Sequence, residues 1–164
     1  MKIGIISDTH GLLRPEACRA LAGMHHIIHA GDIGRPEVVT ELRQLAPTTA
    51  IRGNVDRGTW ADPYPATARL ELGGRVIHVL HDLNALDLDP AAAAIDVVVS
   101  GHSHRPRIAT VGGVLYLNPG SAGPRRFSLP VAVATLEIAG DALRPRIHTL
   151  APSGPRRQRA ATRH

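Results

Sequence analysis

Two histidines one residue apart, His102 and His104, follow the aliphatic run IDVVVS and raise the question of whether they bind a metal. Polar donors also follow four other apolar runs of the chain. The complete set of candidate donors is Asp8, His10, Asp32, Asn54, His81, His102 and His104. Imidazole nitrogens mixed with carboxylate and amide oxygens are typical ligands of divalent transition metals, whereas Mg²⁺ and Ca²⁺ prefer oxygen. Because seven donors exceed the four ligands of a tetrahedral ion, the set predicts a pair of ions.

Each donor also has an ordinary structural explanation. Asp8 can cap a helix, and Asp32 and Asn54 can form turns. Those explanations account for one residue at a time. They do not account for five predicted strands that each end in a carboxylate, a carboxamide or an imidazole, so we favour a shared site.

The elements that must position these donors change in character along the chain. In the first half, strands are predicted in MKIGIIS, HHIIHAGD and TTAIRGN, alternating with helices in RPEACRALAG and RPEVVTELRQLA. This β-α-β-α-β order indicates parallel strands, whose carboxyl ends are where ligands bind in open α/β sheets. In the second half, ARLEL and RVIHVLH flank Gly73-Gly74 and predict a hairpin. Further strands are predicted in IDVVVS, GVLYLN, VAVATLEI and LRPRIHTL, with one short helical window at DPAAAAI. The sequence thus predicts two sheets packed face to face, with helices outside.

The spacing of the donors favours convergence on one point. In an extended chain, residues two apart point to the same side, so Asp8 is expected to point with His10, and His102 with His104. A glycine precedes Asp32, another precedes Asn54 and a third precedes His102. Glycine allows a sharp turn and a close backbone approach just before a ligand.

The motifs ISDTHG, IIHAGDI, IRGNVD, SGHSH and LNPGS, in this order, resemble the calcineurin-like metallophosphoesterases. In detail they are similar to the small bacterial and archaeal phosphodiesterases related to the retromer scaffold subunit. The resemblance extends to Leu150 and implies an α/β fold over residues 1–150, a four-layer αββα sandwich of two mixed sheets. It also implies a metal-dependent phosphoesterase, more a phosphodiesterase than a phosphomonoesterase. Such an enzyme hydrolyses small phosphodiesters or nucleotide-like substrates by attack of a metal-bridging hydroxide on phosphorus.

The family pattern implies a role for each donor. It implies that Asp8, His10 and His104 bind one ion, that Asn54, His81 and His102 bind the other, and that Asp32 bridges both. The implied catalytic residues are Asp32, Asn54 and His102. The implied cofactors are two divalent transition ions, with Mn²⁺ favoured and Ni²⁺, Co²⁺, Fe²⁺ or Zn²⁺ as alternatives.

The sequence departs from the family pattern at two positions. Val55 stands where many family phosphatases carry a histidine that helps to protonate the leaving group, and the general acid is therefore unassigned. Asp82 stands where the family usually has glycine, so it either disturbs the aim of His81 or itself reaches the metal edge. His29 is a candidate to orient a ligand through a hydrogen bond. Asp56, after Asn54, is explained equally well as a mouth residue and as an ordinary loop charge.

Composition restricts the class of partner. Aromatic residues make up only 2% of the chain, which argues against the base-stacking platforms of single-stranded nucleic-acid readers. The net charge is +5, and four arginines fall in residues 151–164, which we expect to be a disordered basic tail. One cysteine and no signal-like or membrane-spanning run favour a cytoplasmic protein without a membrane partner. The sequence leaves a homo-oligomer open.

Three alternatives to the phosphodiesterase remain at this point. The first is a phosphomonoesterase, and the second is a nuclease whose basic tail grips a polyanion. The third is a non-catalytic protein-binding scaffold with a vestigial metal site. The presence of all seven donors disfavours the scaffold, because a protein that only binds partners has no need of them.

Overall fold

The computed structural model describes residues 1–151, so the predicted basic tail lies outside the described residues from residue 152 onward. In chain order the elements are β1 (Lys2–Ile6), α1 (Pro15–Ala20), β2 (His26–His29), α2 (Pro36–Leu45), β3 (Thr48–Ala50), β4 (Thr67–Leu72), β5 (Arg75–Leu80), β6 (Val97–Val99), β7 (Arg107–Val111), β8 (Val114–Asn118), β9 (Ala132–Ala139) and β10 (Ala142–Thr149). Short 3₁₀ turns lie at Thr59–Ala61 and Leu83–Ala85. The strands form two mixed sheets of five strands each.

The first sheet has the strand order β10-β9-β1-β2-β3. Its strands β1, β2 and β3 are parallel, as the alternation of strands and helices predicts, and β9 and β10 extend it in antiparallel pairing. Both helices begin with a proline, whose fixed φ suits a first helical turn and whose missing N–H is not needed there. The apolar face of α2, formed by Val38, Val39 and Leu42, is buried in the same cluster as Ile6 and Ile27.

The second sheet has the order β4-β5-β6-β8-β7 and shows two differences from the sequence prediction. The hairpin across Gly73-Gly74 is confirmed as β4 and β5. Strand β7 was not predicted, because this edge strand is mostly exposed and has no apolar run or clean alternation. The helix predicted in DPAAAAI is wrong: the segment forms turns, with the Asp89 carboxylate accepting from the Ala91 N–H and Ala94 at a φ of 57°.

The core between the two sheets is aliphatic, as the scarcity of aromatic residues requires. Ile3, Ile5 and Ile28 from the first sheet are buried in one cluster with residues such as Ile77 and Val97 from the second. The prediction of two mixed sheets packed face to face is therefore confirmed. The helices cover the first sheet. The outer face of the second sheet is covered by residues 83–95, which bury Leu80, Ile95 and Val98 without forming an α-helix.

The packing of the sheets brings the loops after several strands together at one end. The loop after β1 is bonded to the loop after β2, and the Gly101 N–H after β6 donates to the carbonyl of His81 after β5 (2.9 Å). A Cβ on Gly101 would overlap the Ser7 hydroxyl at the end of β1, so the two sheets meet closely here. Separately, none of the helices in the described residues is long and apolar enough to cross a membrane.

Candidate metal centre

The backbone conformation of the loop after β1 sets the direction of the Asp8 and His10 side chains. The Asp8 N–H donates to the Gly31 carbonyl and the His10 N–H to the Asp32 carbonyl, both at 3.0 Å, so the loops after β1 and β2 run side by side. Asp8 and His10 have φ values of 55° and 46°. The expectation that they point together is confirmed, but the reason given from the sequence is wrong. Strand β1 ends at Ile6, and left-handed turns rather than an extended pleat direct the side chains.

The same backbone conformation recurs at most of the predicted ligands. Within residues 1–151, seven non-glycine residues have a positive φ, and five of them are predicted ligands. The five are Asp8, His10, Asp32, His102 and His104. An L residue in this region loses about 1 kcal/mol because its Cβ approaches the following carbonyl oxygen, and such conformations concentrate at functional sites. The backbone here is shaped to direct side chains rather than to adopt its lowest energy.

The acidic and imidazole side chains converge to short distances. Oδ1 of Asp8 lies 3.3 Å from Nε2 of His104 and 3.8 Å from Nε2 of both His10 and His81. Oδ2 of Asp32 lies 3.2 Å from Nε2 of His81 and 3.7 Å from Nε2 of His10. Two ligand atoms bound to one ion by bonds of about 2.1 Å lie roughly 3.0–4.2 Å apart. The observed separations of 3.2–3.8 Å fall within this range.

The ligand atoms form two overlapping groups, each with mutual distances within 4.8 Å. One group is Asp8, His10 and His104, and the other is Asp8, Asp32 and His81. The first coincides with the set predicted for one ion. The remaining predicted ligands, Asn54 and His102, lie at the rim, where they line a cavity of about 320 Å³ together with His81. The ring centre of His102 is 5.2 Å from that of His81, and its side chain is 45% exposed.

Three of the four buried predicted ligands are fixed by a hydrogen bond at the atom that does not face the centre. Oδ2 of Asp8 accepts from the Ser7 hydroxyl (2.7 Å) and the His102 N–H (3.0 Å), which leaves Oδ1 for the centre. Oδ1 of Asp32 accepts from the Val55 N–H (3.1 Å), which leaves Oδ2. Nδ1 of His81 donates to the Ala30 carbonyl (2.7 Å), so Nε2 is the nitrogen that is left to face the cluster.

Unpaired buried atoms test whether this arrangement fits a cation. Within the described chain, five buried side-chain nitrogen or oxygen atoms have no hydrogen-bond partner, and four of them belong to predicted ligands. These four are Oδ1 of Asp8, Nε2 of His10, Nε2 of His81 and Nδ1 of His104. A buried polar atom without a partner costs about 1–3 kcal/mol. A metal ion would satisfy such atoms, so the donor set fits divalent transition ions.

Asp32 and His81 have the electrostatics of a paired acid and base, whereas burial raises the pKa of Asp8 and lowers the pKa of His104. Burial acts to raise the pKa of Asp32, but the His81 imidazole, the Val55 N–H and the nearby His10 outweigh it and lower the pKa to about 2. Burial acts to lower the pKa of His81, but Asp32, the Ala30 carbonyl and Asp8 outweigh it and raise the pKa. Asp32 therefore stays ionised, and a metal ion must displace the proton that His81 otherwise shares with it.

Two buried residues support the site through contacts to neighbouring loops: Asp56, which the sequence left open between a mouth residue and a loop charge, and His29, which was expected to orient a ligand and instead bonds Thr9 and the Gly31 N–H. Asp56, 4% exposed, accepts backbone N–H bonds from Ile33 (3.0 Å), Gly34 (2.9 Å) and Gly53 (2.8 Å). It clamps the loop that carries Asp32 to the loop that carries Asn54, so it is not a mouth residue. A signal was available in part, since an aspartate two residues after a Gly-Asn turn is well placed to bond local N–H groups.

The second supporting residue is His29, which is fully buried. Its Nδ1 accepts from the Gly31 N–H (3.1 Å), and its Nε2 lies 3.0 Å from the Thr9 hydroxyl, which donates to the Ile33 carbonyl (2.8 Å). Burial lowers the pKa of His29 to about 3, helped by the nearby His81. His29 is thus a neutral link between the loops that carry Asp8 and Asp32.

Comparison with known proteins agrees with this geometry. Residues 1–141 match the calcineurin-like phosphoesterase superfamily domain. A probable metallophosphoesterase of Methanothermobacter thermautotrophicus is 35% identical over 158 residues, which cover 87% of this chain and 89% of the relative. The structure of an archaeal phosphodiesterase matches with a TM-score of 0.75 at 25% identity and covers 90% of this chain and 100% of its own.

A further structural likeness concerns the fold alone. Vacuolar protein sorting 29 from Cryptosporidium parvum has a TM-score of 0.79 at 19% identity, with 93% of both chains covered. The fold, the converging donors and the sequence similarity over most of the chain agree with one another. This chain belongs to the calcineurin-like phosphoesterase superfamily.

Proposed function

We propose that this protein hydrolyses small phosphodiesters, including nucleotide-like ones, with two divalent transition-metal ions held by the cluster of carboxylates and imidazoles. The observation that carries the proposal is that three unpaired buried ligand atoms lie together, since Nε2 of His10 and Nε2 of His81 are each 3.8 Å from Oδ1 of Asp8. Bound ions of this type supply a water-derived nucleophile at neutral pH and polarise the phosphate. Mn²⁺ is the favoured ion, and the other divalent transition ions remain alternatives.

The first proposed ligand set is the group Asp8, His10 and His104, and the second takes His81 from the other group and adds the rim residues Asn54 and His102. One ion would be held by Asp8, His10 and His104, and the other by Asn54, His81 and His102. Asp32 would serve both ions. Oδ2 of Asp32 lies 3.7 Å from Nε2 of His10 and 3.2 Å from Nε2 of His81, histidines of different sets, and both distances are shorter than the 3.8 Å from Oδ1 of Asp8 to the same two atoms, which supports Asp32 as the shared ligand. Its other oxygen is held by the Val55 N–H, so the shared oxygen has a fixed direction.

The residues at the rim are proposed to contact substrate as well as metal. Asn54 and His102 are exposed and line the cavity at the cluster, where an amide and an imidazole can bond phosphate oxygens. Two divalent ions outweigh the two aspartates by about two positive charges, which attracts a phosphodiester anion. Val55 offers no side-chain proton at the position beside Asn54, which favours substrates whose leaving groups depart without one.

The experiment is metal reconstitution of the full chain after chelation. We expect about two Mn²⁺ ions per chain and hydrolysis of bis(p-nitrophenyl) phosphate that exceeds hydrolysis of p-nitrophenyl phosphate. A larger monoester rate would instead identify a phosphomonoesterase, and a chain that binds no metal and hydrolyses neither ester would support the scaffold alternative. Activity that falls steeply with salt, and no longer does so after deletion of residues 152–164, would favour a nuclease.

A variant tests the shared ligand. Asp32→Asn is expected to weaken binding of both ions and to lower turnover at least about 100-fold, because the shared carboxylate also fixes the position of the ions relative to each other. Asp87→Asn is the matched control, since Asp87 is an exposed acid in the loop between β5 and β6. Near-normal metal content and rate in Asp32→Asn would reject the role of Asp32. The cytoplasmic location and the homo-oligomer stay predictions.

A further inference from the structure

Asp82 places a third carboxylate at the exposed side of the cluster. It follows His81 directly and precedes the 3₁₀ turn Leu83–Ala85. Its Oδ1 accepts the Asn84 N–H (3.0 Å), and its Oδ2 lies 3.8 Å from Nε2 of His102. The side chain of Asp82 is 39% exposed and lines the same cavity as Asn54 and His81.

The arrangement of Asp82 repeats that of the two buried aspartates. In Asp8 and in Asp32, one oxygen accepts a backbone N–H while the other faces an imidazole nitrogen. Asp82 has the same division, with the Asn84 N–H on one oxygen and His102 near the other. Capping of the 3₁₀ turn requires only Oδ1, so it does not explain the position of Oδ2.

A second observation links Asp82 to the cluster through His102. The ring centre of His102 is 5.2 Å from that of His81, whose buried Nε2 lies 3.2 Å from Oδ2 of Asp32. Oδ2 of Asp82 approaches Nε2 of the same His102, and both side chains are partly exposed. The separation of 3.8 Å between Asp82 and His102 falls within the range of roughly 3.0–4.2 Å expected for two atoms on one ion.

We propose that Asp82 is an additional carboxylate ligand of the ion held by His81 and His102. The inference rests on the proposed dinuclear centre and adds a ligand to its exposed half. With Asp82 present, the excess of positive charge falls from about two units to about one. The consequence for substrate is a weaker attraction for phosphomonoester dianions relative to phosphodiester monoanions. Asp82 thus contributes to the choice between the two classes of ester.

The test measures metal binding rather than turnover. The chelated full chain is titrated with Mn²⁺ by calorimetry, as wild type, Asp82→Asn, Asp82→Gly and the control Asp87→Asn. We expect the weaker of the two binding steps to lose affinity by at least about 10-fold in both Asp82 variants, and the stronger step to stay within twofold. The control is expected to bind both ions as the wild type does. Circular dichroism of the metal-free proteins verifies that each variant is folded.

A spectroscopic readout distinguishes a ligand from a distant charge. With Co²⁺ in place of Mn²⁺, loss of a carboxylate ligand changes the visible absorption bands of the second ion, whereas loss of a distant charge does not. Unchanged bands, or a second binding step within twofold of wild type in both Asp82 variants, would overturn the inference while leaving the dinuclear centre intact. A wild-type chain that binds only one ion would overturn the proposed centre and this inference together.

Discussion

Removal of the Asp56 carboxylate is the most direct test of how the candidate site is held in place. Asp56 is 4% exposed, and its two oxygens accept backbone N–H bonds from Ile33, Gly34 and Gly53. The bonds from Ile33 and Gly34 join the loop after β2 to the loop that carries Asp56, whereas the bond from Gly53 braces the loop of Asp56 itself. Asp56→Ala leaves three N–H groups without an acceptor.

The expected magnitude follows from the burial of those groups. An unpaired buried N–H costs about 1–3 kcal/mol. The bond from Ile33 is buried, whereas those from Gly34 and Gly53 are partly buried, so water can replace part of what they lose. We therefore take the lower end and expect Asp56→Ala to lower the free energy of unfolding by about 3 kcal/mol. For a chain of this size, that corresponds to a Tm lower by roughly 6–12 °C.

A graded series sharpens the assay. Oδ2 of Asp56 accepts two of the three bonds, from Ile33 and Gly53, and the oxygen of an asparagine can keep both. Asp56→Asn should then lower the free energy of unfolding by only about a third as much as Asp56→Ala, because its amide N–H₂ faces the Gly34 N–H and only that bond is lost. Asp62→Ala is the control, because Asp62 is exposed on the following turn. Urea unfolding with a chelator present measures all three. Equal midpoints for Asp56→Ala and Asp62→Ala would refute the clamp.

Three further predictions concern the loops, the buried histidine and the leaving group. Gly53→Ala should weaken Mn²⁺ binding at least about 10-fold, because its Cβ would overlap the carboxylate and the backbone nitrogen of Asp32; calorimetry that shows unchanged affinity would contradict this. In the folded chain the pKa of His29 is lowered from 6.5 to about 3. As pH drops from 6.5 towards 3, the unfolded chain binds this proton and the folded chain does not, so the free energy of unfolding decreases. His29→Gln should reduce this slope by up to about 1.4 kcal/mol per pH unit in urea unfolding of the metal-free chain, and parallel slopes for the two proteins would contradict a buried neutral imidazole. Because Val55 has no side-chain proton to donate, rates across a series of aryl phosphodiesters should fall steeply as the leaving-group pKa rises; a flat dependence would indicate an unassigned general acid.

The order of the donors along the chain was enough to predict the place of the site. Asp8, Asp32 and His102 each follow an apolar run with β-branched residues, and strand ends can be recognised from such runs. Because helices connect the strands before Asp8 and Asp32, these strands are parallel and their ends had to lie together, whereas the position of His102 depends on how the second sheet packs on the first. The hairpin at Gly73-Gly74 was predictable for a similar reason, since its turn chemistry is local. Local signals therefore located the site.

Features that depend on distant backbone could not be predicted. Asp8 and His10 adopt a positive φ because their N–H groups bond carbonyls of the neighbouring loop, and nothing in the residue types requires this. The partners of Asp56 are backbone groups, and every residue type except proline supplies the same N–H. Strand β7 is an exposed edge, where the pairing with β8 decides the structure and hydrophobic periodicity does not. In each case the deciding contact is absent from the local sequence.

The two halves of the candidate centre are held by different kinds of contact. This difference indicates which half determines the preferred class of ester. The inner half, with Asp8, Asp32 and His81, is buried and fixed by backbone hydrogen bonds, so a substitution there would change the position of the proposed ions themselves. The outer half, with Asp82 and His102, is partly exposed and borders a cavity. A substitution there would alter the charge and the contacts near the substrate, while the inner half would keep its geometry. A change of substrate class therefore requires fewer compensating substitutions at the rim than in the interior. Among relatives that share the buried donors, differences in the preferred ester should correlate with the residue at position 82 and its neighbours rather than with the inner ligands.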